Sequence, residues 1–453
     1  MDAFQLNTSM NRYHLSILIL FSALWSPILK AQGFQYAKLG SFLSNLQGHN
    51  KAMGSLVISK GKDAVYQKSF GYGYISENDK VALDSKTKYR VGSITKVFTA
   101  VMIFQLIEKG QLKLNTPVSQ FFPILPSAQK ITISHLLSHK SGLFDYVDGW
   151  DLWRLNYTSN EEMVARIAKH PLKFEPGTKI EYSNSGYILL GYILEKIYKK
   201  PFSAILKEKI TSKIGITDTY YGGKADFKLK EALSYVFENG SWVQQPETDM
   251  SAGNGAGAIL STGADLNKFA FKLFTGNLIK KESLNFILGS REGTGIGLEK
   301  TPFYEHALYG HSGQIDYFQS WMLYFPKESL AVTILINGFG GESINTILKG
   351  VLHIVFNKPF KIPNYESVQL KPEELEKFVG EYSCIQPALK INITRNGAEL
   401  FAQAEGQPAF PLKGKANGEF HFSQAGVVIK FSPDYIGFVL NQGGGEYKFN
   451  RLK

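Results

Sequence analysis

Hydrophobic and polar positions follow three rhythms along the 453-residue chain. In GSLVISKGKDAVYQKSFGYGY, residues 54 to 74, two β-branched and aromatic runs flank Lys60-Gly61-Lys62-Asp63, which predicts a hairpin. A long apolar helix is expected after Ser93, with Val97, Val101, Ile103, Phe104 and Ile107 among its apolar positions and Gly110 as its terminator. From 131 to 200, helical stretches alternate with loops marked by Ser141-Gly142, Pro176-Gly177 and Ser185-Gly186. The glycine-rich SAGNGAGAILSTGADLNKF leads into another helix, which Thr262 and Asp265 are placed to cap reciprocally. LAVTILIN, near residue 330, reads as a buried strand. Hairpin, helices and then strands imply one mixed sheet whose first and later strands meet across a helical insertion.

Past Pro359 and Pro363 the pattern becomes all-β. Leu389, Ile391 and Ile393 alternate before a turn expected at Asn396-Gly397, a preferred two-residue hairpin pair. Roughly 85 residues of such short strands suggest a small barrel or sandwich. The expected organisation is a leader over 1–33, a mixed domain over 34–357, a linker over 358–366 and a β-barrel domain over 367–453.

The leader follows from Arg12, the short apolar run Leu15 to Trp25, Pro27 and the small-residue segment Lys30-Ala31-Gln32-Gly33. This is the layout of a secretory signal peptide, and the run is short for a membrane span. Met10 is an alternative start. The reading is of an exported, periplasmic or extracellular bacterial protein without stable membrane insertion once the leader is cut. Cys384 is the only cysteine, so no intrachain disulfide is possible and the core must hold the fold. A composition of 44% hydrophobic and 20% charged residues is globular. The net charge of +11 favours anionic surroundings. Lysine dominates it, however, without basic runs interleaved with aromatics, so no nucleic-acid partner is expected.

Ser-x-x-Lys occurs at Ser59/Lys62, Ser85/Lys88, Ser93/Lys96 and Ser127/Lys130. About three matches arise by chance in a chain this rich in serine and lysine, so presence alone means little. Only Ser93 follows a glycine and opens a long apolar helix, where residues three apart share a face. The helix N-terminus would also stabilise an attacking oxygen or an oxyanion. The alternative is a serine that merely caps the helix. A serine nucleophile needs a base, and a lysine serves only if its pKa is lowered. Tyr182-x-Asn184 and His311-x-Gly313 each occur once. Tyr182 is a candidate second proton handler, or only a loop tyrosine. Gly313 lets a substrate backbone approach a strand, and the Gln314 N–H is placed to complete an oxyanion hole with that of Ser93.

These three triplets, in this order, resemble the penicillin-recognising serine hydrolases: class C β-lactamases, D,D-carboxypeptidases, D-aminopeptidases and related esterases. ITISHLLSHKSGL, PGTKIEYSNSGY and GAILSTGADLNKF extend the resemblance over roughly residues 45 to 355. LEKFVGEYS through YKFNRLK resembles the lipocalin-like barrel often appended to such enzymes. The resemblance implies an α/β (α+β) β-lactamase/transpeptidase-like domain, with an antiparallel sheet flanked by helices and a helical subdomain, plus a small C-terminal antiparallel β-barrel. It makes Ser93 the acylated nucleophile, Lys96 its proton partner and Tyr182 a base. Asn184, His311, Gly313 and Gln314 become substrate-binding, and neither cofactor nor metal is implied. The substrate would be a small molecule or peptide; oligomeric state is left open. His311 replaces the lysine of a Lys-Thr-Gly triplet and, as a largely neutral residue, favours an esterase, peptidase or amidase. A β-lactamase or D,D-carboxypeptidase is the alternative within enzymes, and an inactive envelope-binding scaffold the alternative outside them. Asp316-Tyr317 stands where related sequences tend to have a small residue such as glycine, and Tyr317 is expected to narrow the cleft. His135 and His139, four apart, lack the rest of a zinc motif. Gly253 to Gly257 lacks a P-loop's strand and lysine and reads as a flexible loop beside the cleft. Gly-x-Ser-x-Gly is absent.

Overall fold

The computed structural model describes residues 35–289, 295–366, 368, 370–415, 418–422, 425–442 and 445–452; the expected leader lies outside them. Strands β1 (Ala52–Lys60) and β2 (Asp63–Phe70) form the expected hairpin, turning through Gly61 at φ 58°. β1 is buried along almost its whole length, so its sequence runs apolar instead of alternating. The same holds for β6 (Leu330–Phe339), which pairs antiparallel with β1 from Ala52↔Phe339 to Lys60↔Leu330. β3 (Glu299–Phe303), β4 (His306–Ile315) and β5 (Phe318–Phe325) continue the sheet in the order β3-β4-β5-β6-β1-β2. The first and last strands of the domain thus meet at the sheet centre, and the helical insertion lies between them in sequence.

Two cores follow from the two sheet faces. Helix α1 (Tyr36–Gly48) and helix α5 (Ile344–Val355) cover one of them. The other carries α4 (Gly263–Phe274), on which α2 (Thr95–Glu108) packs through the stacked rings of Phe98 and Phe269, 3.8 Å apart. α2 is buried on every side from Thr95 to Leu106, which explains its lack of a polar stripe. Gly110 adopts φ 68° just past its end, as expected.

Three details correct the sequence reading. Thr262 Oγ1 accepts from the Asp265 N–H, but the Asp265 carboxylate does not return the bond. It accepts instead from Asp218 N and Thr219 Oγ1, both at 2.9 Å, and ties a neighbouring loop to α4. The stretch from Gly253 to Gly257 is no loose loop. Its one-turn helix Asn254–Gly257 is buried against α3 (Asn184–Tyr198), and a Cβ on Gly255 would lie 2.7 Å from the Tyr187 carbonyl. Glycine is needed there for the contact of backbone on backbone.

The third correction lies in the C-terminal strands. β7 (Gly380–Cys384), β8 (Leu389–Asn396), β9 (Glu399–Ala404), β10 (Phe410–Gly414), β11 (Glu419–Phe422), β12 (Val427–Phe431), β13 (Gly437–Gln442) and β14 (Gly445–Arg451) form a closed barrel. Closure comes where Tyr382 on β7 pairs Arg451 on β14, and it removes the exposed edges of an open sheet. Phe378, Tyr382, Phe431 and Phe438 fill it. Asn396 pairs Glu399, so the turn is Gly397-Ala398 rather than Asn396-Gly397, with Gly397 at φ 58° supplying the left-handed residue.

Asn267 on α4 joins helix to sheet: its Nδ2 donates to the Val57 carbonyl (3.1 Å) and Ser59 Oγ (3.0 Å), and its Oδ1 accepts from Thr333 Oγ1 (2.7 Å). All these groups are buried, so truncation strands several of them. Asn267→Ala is expected to lower stability by about 2–4 kcal/mol, read as a lower urea midpoint.

Candidate active site

The site starts from two glycines. Gly92 takes φ 53° in the 3-10 turn Gly92–Ile94, and a Cβ there would sit 2.7 Å from Gln314 N. A Cβ on Gly313 would lie 2.0 Å from the Val91 carbonyl. With hydrogen in place of both methyl groups, the turn and β4 touch backbone to backbone, which sets Ser93 beside Gln314. Ser93 is not the helix cap: α2 has Ile94 at its N-cap, with no side-chain capping bond. Its hydroxyl faces Lys96 instead, at 2.9 Å.

Lys96 is fully buried. Its Nζ also lies 2.8 Å from Asn184 Oδ1 and 2.9 Å from the Ala256 carbonyl. Those two oxygens only accept, so they take both hydrogens of a neutral amine and leave its lone pair facing the Ser93 hydroxyl. Burial pushes the Lys96 pKa down to about 7, with the Asp145 carboxylate acting in the opposite sense. Asp145 is itself raised by burial, against the bonds that its Oδ2 accepts from Asn184 N (3.2 Å) and Nδ2 (3.0 Å). The carboxylate therefore fixes which way the Asn184 amide points.

Tyr182 stacks on His139 with ring centroids 4.5 Å apart, and Lys96 Nζ lies 5.0 Å from its ring centre. Burial raises the phenol well above its usual range, although a hydrogen bond with Ser93 works against this. His139 Nδ1 accepts from the Ser183 N–H at 3.0 Å. Burial, then the Lys96 charge, then His311 lower its pKa to about 3. His311 falls to about 4, through burial and then Lys96. Its Nδ1 contacts the Ser312 carbonyl, an acceptor, so Nδ1 carries the hydrogen. The centre thus holds neutral rings around one amine poised near neutrality, an arrangement that can take a proton from the serine.

A cavity of about 540 Å³ opens in front of Ser93, walled by Tyr182, Asn184 and Gln314 and by the aromatic Tyr146, Trp150 and Tyr317. Tyr317 projects into it as the sequence suggested. Lys96, His311 and Gly313 are not part of the wall. The structure therefore brings all seven candidate residues to one place but sets three of them behind the surface.

A family model described as Beta-lactamase matches residues 43–352, more than half of the chain. The chain belongs to the beta-lactamase family. Penicillin-binding protein 4* of Bacillus subtilis (strain 168) is 26% identical over 435 residues, covering 88% of this chain and 95% of that protein. The octameric penicillin-binding protein homologue from Pyrococcus abyssi shares the fold over 92% of this chain and 99% of that one, with a TM-score of 0.66 and 24% identity. D-amino acid amidase from Ochrobactrum anthropi SV3, solved with L-phenylalanine amide, covers 70% of this chain and 97% of its own at 26% identity and a TM-score of 0.60.

Within this beta-lactamase-family site, sequence reasoning missed Asp145, His139, the Ala256 carbonyl, and Arg90 and Arg154 around Asp316. His139 was set aside as half of a failed metal motif, yet it stacks on Tyr182; His135 instead takes part in the reciprocal cap of Thr132. Asp316 has φ 53°, a left-handed conformation that a side chain seldom adopts. Arg90 Nη1 (2.9 Å) and Arg154 Nη1 (2.8 Å) hold its carboxylate. An isolated aspartate and two scattered arginines give no local signal of that network.

The Lys96 pKa has a consequence for stability. Its folded value lies below its unfolded value, so between about pH 7 and 10.5 the unfolded chain keeps a proton that the folded chain has released. Stability attributable to this residue therefore rises with pH across that window, by about 2 kcal/mol from pH 7 to 9. Lys96→Met is expected to lose this part of the rise, measured as the change in unfolding free energy between the two pH values.

Proposed function

We propose that this chain is an exported serine hydrolase that cleaves esters or amides through an acyl-enzyme, with Ser93 as nucleophile. One observation carries the reading: the buried Lys96 Nζ stands 2.9 Å from Ser93 Oγ with its other two contacts committed to acceptors. As Oγ bonds to the substrate carbonyl carbon, its proton passes to the Lys96 amine. The N–H groups of Ser93 and Gln314 hold the oxyanion. Collapse breaks the bond to the leaving group, which takes a proton from the Tyr182 phenol; the phenol is restored from the Lys96 ammonium. Water then adds to the acyl carbon and gives its proton to the amine; the carbon–Oγ bond breaks as Oγ takes that proton back from the ammonium, which restores both Ser93 and the Lys96 amine. Family resemblance makes Tyr182 a base, but burial keeps its phenol protonated, so the first proton goes to Lys96. Asn184 orients the substrate from the cavity wall.

The N-terminal pattern supports export, and the amidase relative supports an amide or ester substrate. The penicillin-binding relatives favour a second reading, a β-lactamase or D,D-carboxypeptidase. A neutral His311 behind the wall counts against it, because no cation stands at that triplet. Incubation with benzylpenicillin and intact-mass measurement separate the two: neither adduct nor hydrolysis is expected.

Ser93→Ala is expected to abolish labelling by a fluorophosphonate probe and to lower p-nitrophenyl acetate turnover at least about 10³-fold. Unchanged turnover would remove Ser93 from the mechanism. Because the acceptor is the unprotonated amine, kcat/KM should fall about tenfold per unit below pH 7 and stay level from pH 8 to 9. Lys96→Arg should abolish that profile along with activity.

A further inference from the structure

Three charged side chains line the cavity: Asp151, Arg154 and Asp316. Asp316 has no charge to spare for a substrate. Its side chain is 0% exposed and accepts from Arg90 Nη1, Arg154 Nη1, Thr248 N (3.1 Å) and Thr248 Oγ1 (2.7 Å). Arg90, buried behind it, is completed by Glu247 at 2.7 Å and by the Gly223 carbonyl at 3.0 Å. Two guanidiniums therefore match two carboxylates. Asp151, with its side chain 84% exposed, stands in water, where its charge is screened.

Arg154 is different. Nη1 is used by Asp316 and Thr248 Oγ1, and Nε donates to Asp151 at 3.0 Å, but Nη2 meets no acceptor among the described residues. The side chain is 16% exposed and lies on the cavity wall, with the Trp150 ring centre 6.0 Å from Cζ. Two anchored nitrogens fix the plane of the fork, and its third edge remains open. A guanidinium keeps its charge at every working pH and is shaped for carboxylate. It is the one cation on this cavity wall among the described residues.

We propose that the open Nη2 edge of Arg154 receives a carboxylate on the acyl part of the substrate, so that the preferred substrates are acyl compounds carrying a second, anionic group. Arg154 bonds to Asp316, two residues past the oxyanion-hole residue Gln314, and none of its bonds among the described residues is to Tyr182, where the leaving group takes its proton, so the acyl part is assigned to it. This deepens the hydrolase reading and rests on it for turnover, but not for binding.

The test compares mono-p-nitrophenyl glutarate with p-nitrophenyl pentanoate, which share the leaving group and differ by the terminal carboxylate. The wild type should show the lower KM for the glutarate ester. Arg154→Gln should raise that KM at least tenfold more than it raises the KM for the pentanoate ester. Equal losses on both esters would mean that Arg154 only supports Asp316, and would overturn the proposal. So would a wild-type preference for pentanoate. Calorimetric titration of Ser93→Ala with glutarate and with the neutral glutaramide is independent of turnover. Glutarate should bind the more tightly, and adding Arg154→Gln should remove the difference. If that difference is found while the wild type hydrolyses neither ester, the hydrolase reading fails and the carboxylate site stands. If no difference is found, the site is overturned whatever the turnover.

Discussion

The burial of one amine is the constraint on which the rest of the site depends. A lysine taken wholly out of water loses hydration, which no ion pair among the described residues replaces; Asp145 lies close enough to matter but bonds to Asn184. The amine persists because three polar partners reach it from three separate parts of the chain: the Ser93 turn, the start of α3 and the Asn254–Gly257 helix. Moving any one of the three would strand a polar group. The close glycine contacts of Gly92 on β4 and of Gly255 on α3 are the means by which backbones come near enough to hold all three at once.

This explains why α2 is buried on every side. An amphipathic helix with a wet face would leave Lys96 a route to solvent, and its pKa would return toward the ordinary lysine range. Enclosure by α3, α4 and the sheet brings the amine's pKa down to about 7, so that a large unprotonated fraction is present at neutral pH. The same enclosure keeps His139 and His311 uncharged and the Tyr182 phenol protonated, since each would have to ionise in the same low-dielectric surroundings. One physical cause sets the protonation of four groups. Charged rings beside the amine would add repulsion to the cost of burial, so the neutral rings are part of what lets the site exist.

Local pattern made much of the fold legible. The β1–β2 hairpin, the β6 strand and the length of α2 follow from periodicity and turn residues, and Ser93 with Lys96 follows from the three-residue helical spacing. Features decided by distant contacts were not legible. Asp145 matters only because Asn184 folds onto it, and Asp316 only because Arg90 and Arg154 converge from 226 and 162 residues away in sequence. The Asp265 carboxylate left its expected cap because Asp218 and Thr219 offered it donors from another loop. The hairpin turn shifted by one residue because strand register, not dipeptide preference, decided which residue is left-handed. In each case a tertiary partner outbid the local one.

Charge placement in the cleft follows the same logic. A cation at the β4 triplet would lie behind the wall, among the neutral rings that surround Lys96. A permanent charge there would depress the Lys96 pKa further by repulsion and alter its proton balance. Arg154 avoids that conflict: it is neutralised on two edges, stands on the far side of Asp316, and turns its remaining edge to the cavity. Substrate charge can then be recognised without disturbing the pKa of the amine. The left-handed Asp316 is the hinge of this separation, since its carboxylate holds the arginine in place and balances its charge. The aspartate that follows the His311 triplet and the absence of a lysine within it are therefore two sides of one electrostatic arrangement.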